Sequence, residues 1–204
     1  MNTVFFRRLV ILFAALLPAF PALADKPIFF KPPMMGAPAT RIGGGTRGIS
    51  GESVKIQVLA PDQTALTARA APTLYWYVSG PSSRSVEVSL SLESETEPVV
   101  EKKLGPVAAP GIQAIRLAEL GVELKPGQEY RWAVALVADA EQRSGDQFAS
   151  ATIRRETPAA PLTDAADLAA AGYWYDALEQ LIESKSAQVD ELLGQADIHL
   201  AGVK

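Results

Sequence analysis

Between Val86 and Leu92 apolar and polar residues alternate without a break, with Val86, Val88, Leu90 and Leu92 set against Glu87, Ser89, Ser91 and Glu93. A period of two puts each set on its own face of an extended strand, whereas a helix would scatter both around its circumference. Val54, Ile56 and Val58 alternate in the same way with Ser53, Lys55 and Gln57, and Leu74, Trp76 and Val78 with Tyr75 and Tyr77. Shorter strands are expected at residues 99–104, 112–117, 130–138 and 148–154. Gly80-Pro81, Pro110-Gly111, Pro126-Gly127 and Gly145-Asp146 punctuate the series as turn residues. The pattern predicts a mainly β chain of seven antiparallel strands with one wet face, arranged as a sandwich.

The stretch Leu124-Lys125-Pro126-Gly127-Gln128-Glu129-Tyr130 sharpens that expectation. It resembles the tyrosine corner of immunoglobulin-like and fibronectin type III domains, in which a tyrosine at the start of the sixth strand bonds back across the preceding turn. Tyr130 opens the sixth of the seven predicted strands. The chain has no cysteine, so the disulfide of a true immunoglobulin domain is excluded, and Trp76 lies on the second strand rather than the third. The expected fold is therefore an immunoglobulin/fibronectin-III-like antiparallel sandwich over residues 51–157.

Pro158 and Pro161 end the β pattern, and residues 158–204 change period. Thr163 is the expected helix cap, with Asp164 and Asp167 favourable in the first turn. Gly172 interrupts the helix. Trp174, Leu178, Leu181 and Ile182 then form one stripe, and Val189, Leu193, Ala196 and Leu200 another. The stretch 168–178 looks like the turn of a tetratricopeptide repeat, and a single such unit cannot bury its own face. This small helical appendage is expected to dock on the sandwich or on a partner, with Trp174 as its anchor.

Upstream of the strands the chain reads as two leads. In residues 1–24, Arg7 and Arg8 precede a short apolar run from Leu9 to Leu17, and Ala22-Leu23-Ala24 makes a small-x-small site before Asp25. These are the parts of a signal peptide, and the run is far short of the ~20 residues that span a bilayer. No integral membrane segment is expected after cleavage. The periplasm is the expected location, with secretion or the outer cell surface as the alternative. Residues 25–50 are rich in Pro and Gly and read as extended or partly disordered. Cleavage would remove Arg7 and Arg8 and no acid, leaving 17 basic and 23 acidic side chains. That acidic balance argues against nucleic-acid binding, which draws on cations that displace counterions from phosphates. It also disfavours an anionic membrane surface.

Several motifs occur in a telling order. Arg41-Ile42-Gly43-Gly44-Gly45-Thr46-Arg47-Gly48 comes first, then Leu59-Ala60-Pro61 and Pro72-Thr73-Leu74-Tyr75-Trp76-Tyr77-Val78. Pro110-Gly111-Ile112, Tyr130-Arg131-Trp132, Arg143-Ser144 and Gly172-Tyr173-Trp174-Tyr175-Asp176-Ala177-Leu178 follow. Together they resemble the exported bacterial family catalogued as domain of unknown function 928, across essentially the whole mature chain. The chain departs from it at Ala151-Thr152-Ile153, where members often carry an aromatic, and at Ala138-Asp139-Ala140, where relatives have a Cys-Asp-Pro-like turn. The resemblance implies no activity.

Candidate sites are sparse. The triple glycine lacks the preceding strand, the Gly-Lys-Ser/Thr ending and the following helix of a phosphate-binding loop. Arg41 and Arg47 are the candidate clamp for a partner's carboxylate or phosphate. His199 is the sole histidine and sits beside an apolar stripe with no nucleophile motif near it. No cofactor, metal site or catalytic residue is expected. Asp139, Glu141 and Asp146 flank Arg143 without a calcium-loop pattern, so local ion pairing is expected there. Trp76, Trp132 and Trp174 are in phase with apolar stripes and read, with Tyr130, as structural. Tyr75 and Tyr77 fall on the opposite face, where they either meet the helices or stay exposed for binding. The reading is a non-enzymatic periplasmic protein-interaction module that binds an exported or membrane-anchored protein. The alternative is a carbohydrate-binding or carbohydrate-active protein using exposed Tyr75 and Tyr77.

Overall fold

The computed structural model describes residues 26–33, 54–95 and 97–200. The signal-peptide reading and the Arg41 to Gly48 cluster lie outside these residues. The chain is mainly β, with eight strands: β1 Ile56–Val58, β2 Ala65–Thr67, β3 Thr73–Val78, β4 Ser82–Leu92, β5 Pro98–Val107, β6 Gly111–Arg116, β7 Glu129–Val137 and β8 Gln147–Arg155. Three helices follow, α1 Ala165–Ala170, α2 Trp174–Glu183 and α3 Gln188–Gln195.

The strands form two sheets, ordered β1-β3-β6 and β2-β8-β7-β4-β5. The alternation read along β4 is realised in register with β7, where Val86, Val88 and Leu90 sit opposite Leu136, Val134 and Trp132. All six are buried, together with Ile56 and Val58 of β1 and Leu74, Trp76 and Val78 of β3. β1 of the smaller sheet packs against β7 and β8 of the larger one, so the core lies between the sheets. β5 is an edge strand carrying exposed Glu101, Lys102 and Lys103, solvated charges that discourage pairing with a further strand.

Two expectations need correction. There are eight strands among the described residues rather than seven, and the larger sheet is not wholly antiparallel. The additional strand is β2, which pairs with β8 in parallel, Ala65 opposite Ile153 and Thr67 opposite Arg155. Its three residues are all buried, so no alternation marks it. Tyr130 accordingly lies in the seventh strand. It is buried, its hydroxyl accepts from the Lys125 backbone N–H at 3.1 Å and donates to Gln128 Oε1 at 3.2 Å. Tyr130→Phe is expected to leave that N–H without its acceptor and to cost about 1–3 kcal/mol. Urea titration of the two proteins measures this directly, and equal midpoints would remove the hydroxyl from the account.

The helical boundaries also shift. Asp164, not Thr163, caps α1, accepting from the Asp167 N–H at 2.8 Å. α3 ends at Gln195, so Leu200 lies beyond it, and Leu192 with Leu193 supplies its buried contacts. The helices do pack on the sheets: α2 lies against β2 and β3, and its buried side chains belong to the same core cluster as the strands.

Candidate functional site

A dense set of specific contacts is built by residues 172–179, where α2 begins. Gly172 has φ +88°, a region closed to most side chains, and a Cβ there would come within 3.2 Å of Pro33 Cδ and 3.3 Å of Lys31 O. Its carbonyl accepts from Leu66 N–H at 3.1 Å, so one glycine joins the N-terminal segment, β2 and the helices. The next side chains each reach a different part of the β body. Trp174 Nε1 donates to Leu59 O at 2.8 Å, in the loop after β1. The Tyr175 hydroxyl accepts from Trp132 Nε1 at 2.9 Å and donates to Thr152 O at 3.1 Å. Burial drives the ionisation of Tyr175 far above its ordinary range, so it remains a neutral phenol bridging β7 and β8.

Asp176 and Glu179 are both buried, three residues apart on α2. Asp176 accepts from Ala68 N–H at 2.8 Å and from Thr67 Oγ1 at 3.2 Å. Glu179 Oε1 accepts from Thr73 Oγ1 at 2.6 Å. Arg69, 51% exposed, lies over the pair, 3.4 Å from Asp176 Oδ1 and 3.2 Å from Glu179 Oε2. That last oxygen is in ion-pair range of Arg69 yet has no well-aligned hydrogen bond among the described residues. Burial raises the Asp176 carboxyl above the ordinary range; the two donors and Arg69 pull it back, and the charge of Glu179 adds to the rise. These carboxylates are engaged with hydroxyl groups of β2 and β3 and with the Ala68 N–H and Arg69 guanidinium of the turn between them. Their arrangement is a polar clamp between helix and sheet rather than a free acid–base pair.

Two clefts adjoin this body. One, about 690 Å³, is bounded by Lys26, Asp164, Leu181, Ser184, Lys185 and Gln188. The other, about 420 Å³, opens between the edge strands β5 and β6 and is lined by Trp76, Val86, Leu104, Pro106, Pro110 and Gln113. Asp176 and Glu179 line neither.

Of the residues singled out from sequence, Tyr75 and Tyr77 are buried and do not present an exposed contact face. Burial, then the nearby charges of Glu179 and Glu183 on α2, raise the Tyr75 hydroxyl above its usual range, so this tyrosine meets the helices. Trp76 is buried, and its indole N–H has no hydrogen-bond partner among the described residues. Trp132 and Trp174 are fully buried and bonded as described. Arg41 and Arg47 lie outside the described residues. Arg143 forks between Glu87, at 2.8 Å, and Asp146. His199 is exposed.

Sequence reasoning missed the N-terminal segment and the clamp. Residues 26–33, read as extended or partly disordered, form neither helix nor strand and are docked: Ile28 and Phe30 are buried on either side of exposed Phe29, and Phe30 packs edge-on with Trp174 at a centroid distance of 4.8 Å. The spacing of Ile28 and Phe30 around Phe29 was the available signal. Asp176 and Glu179 carried the signal of two acids within an otherwise apolar helical face.

The geometry defines a two-sheet β protein whose helices and N-terminal segment share its core. More particularly, the chain belongs to the family described as Domain of Unknown Function (DUF928), whose model matches residues 42–199. Comparison with curated proteins finds no match. Among solved structures, the chain is similar to a crystallised engineered protein of the Northeast Structural Genomics Consortium, at 15% identity and a TM-score of 0.34. That likeness covers 52% of this chain and 21% of the other, so this chain spans about a fifth of its length. Among the described residues no helix is long and apolar enough to cross a membrane.

Proposed function

We propose that this chain is a non-enzymatic protein-interaction module working in the periplasm, its two sheets arranged as an immunoglobulin/fibronectin-III-like sandwich. Its partner is an exported or membrane-anchored protein. The observation that carries the reading is the way the helices hold a stretch of polypeptide that belongs to no helix or strand, residues 26–33, through hydrogen bonds to its main chain and two buried apolar side chains. Main-chain reading with pockets for alternate side chains is the physics of peptide recognition. The periplasmic part rests on Arg7 and Arg8, the apolar run and the Ala22-Leu23-Ala24 site. The sandwich part rests on Tyr130 and its bond to the Lys125 N–H. A carbohydrate-binding function would need aromatic faces other than the buried Tyr75 and Tyr77.

Cell fractionation followed by in-cell cross-linking and mass spectrometry tests the proposal. A reproducible exported or membrane-anchored partner in the periplasmic fraction is the expected result. Strong saccharide binding on a glycan array with no cross-linked protein would overturn it.

A further inference from the structure

We infer that the face of α1–α3 covered by residues 26–33 is an exchangeable peptide-recognition groove, which accepts an extended segment of a partner in place of the chain's own. This rests on the interaction-module reading and specifies the chemistry of the partner.

The groove reads main chain first. Gln195 Oε1 accepts from Phe30 N–H at 2.6 Å while its Nε2 donates to Ile28 O at 2.8 Å. Those two backbone groups flank Phe29 and point the same way along an extended chain, so one side-chain amide does what a neighbouring strand would do. Gln188 Nε2 donates to Lys26 O at 2.7 Å. Gln188 and Gln195 are seven residues apart on α3, two turns, and so share one face. Lys31 N–H adds a bond to Ala169 O at 3.2 Å. None of these bonds depends on the identity of the bound side chain. The docked residues belong to neither sheet, so no ladder ties them to the β body.

Selectivity comes from alternate positions. Ile28 and Phe30 are buried, whereas Phe29 between them is 66% exposed. Lys26 reaches Asp164 at 2.7 Å and Asp167 at 3.2 Å. The matching partner segment is therefore extended, with a cationic residue followed by large apolar residues two and four positions later. The 690 Å³ cleft shares Lys26 and Gln188 with this groove and is also lined by Ser184 and Leu181, so the groove adjoins further open surface.

The test uses the full chain and a fluorescein-labelled peptide with the sequence of residues 26–33. In the Ile28→Ala, Phe30→Ala double variant the chain's own segment no longer fills the groove, and saturable peptide binding is expected by anisotropy. The native chain should bind at least about tenfold more weakly, because its tethered segment competes at high effective concentration. Adding Gln195→Ala to the double variant should reduce affinity about tenfold or more. A peptide with the two apolar residues each moved by one position should not bind. Absence of binding by a double variant with native near-UV circular dichroism would overturn the inference, as would equal binding of the shifted peptide. Should the double variant not fold, Phe29→Cys carries a fluorophore on the exposed position of an otherwise native chain. Unlabelled peptide at millimolar concentration should then change the label's emission as the segment is displaced, and an unchanged signal overturns the inference. A negative peptide result leaves the cross-linking test of the broader function unaffected.

Discussion

Trp174→Ala is expected to destabilise the protein by about 3–5 kcal/mol, the cost of emptying a large aromatic site from a packed core. Trp174 is fully buried, donates to Leu59 O and stacks edge-on against Phe30. Its removal opens a cavity, leaves a carbonyl in the loop after β1 without its donor and frees the N-terminal segment. Tyr175 beside it bonds to Trp132 and Thr152, so disturbance at the start of α2 passes directly into β7 and β8. The variant should therefore unfold in one transition at a lower denaturant midpoint, with helical and indole signals lost together. Limited proteolysis should yield no long-lived core of residues 51–157. Two separate transitions, with such a core persisting, would establish the helices as a dispensable appendage.

Asp176→Ala carries the second largest expected effect. It leaves the Ala68 N–H and the Thr67 hydroxyl without their acceptor and removes one of the two carboxylates that face Arg69, at a cost of about 2–4 kcal/mol near neutral pH. Asp176→Asn keeps one carbonyl oxygen as acceptor and should be milder. The two variants also separate charge from hydrogen bonding through pH. Burial raises the folded-state carboxyl of Asp176 above its unfolded value, so between those two values the folded protein holds the extra proton. Stability contributed by this group therefore falls as pH rises through that window and recovers as pH drops below it. The native chain should gain stability relative to Asp176→Asn on acidification from neutral into the window. A difference that stays flat with pH, followed by chemical denaturation at several pH values, would show that Asp176 does not titrate between the states.

Most strands could be read in advance because alternation and turn residues act over a few positions. Val86 to Leu92 needs only one wet and one dry face to be recognisable as β4, and β7 shows the same pattern from Tyr130 onward. β2 could not be read, because a three-residue strand buried on every side carries no periodicity. Tyr75 and Tyr77 show the limit from the other side. Alternation separates them from Trp76, but the neighbours of Tyr75 come from α2, a hundred residues further along the chain.

The same distinction holds for the candidate site. Gln188 and Gln195 look like ordinary solvent-facing residues of a short helix, and Ile28 and Phe30 like apolar residues in a proline-rich lead. Only packing over more than 160 positions of sequence brings them into hydrogen-bond range. Asp176, Glu179 and Arg69 likewise meet only when α2 lies on β2 and β3. Local sequence thus determined the β character, the turns, the change to helical spacing after Pro161 and the tyrosine that bonds back across the turn before β7, because each depends on neighbours within one or two turns of chain. The parallel pairing of β2, the burial of Tyr75 and Tyr77, the docking of residues 26–33 and the carboxylate clamp were decided by the tertiary structure. Each arises from side chains that are far apart in sequence and that only a shared core holds together.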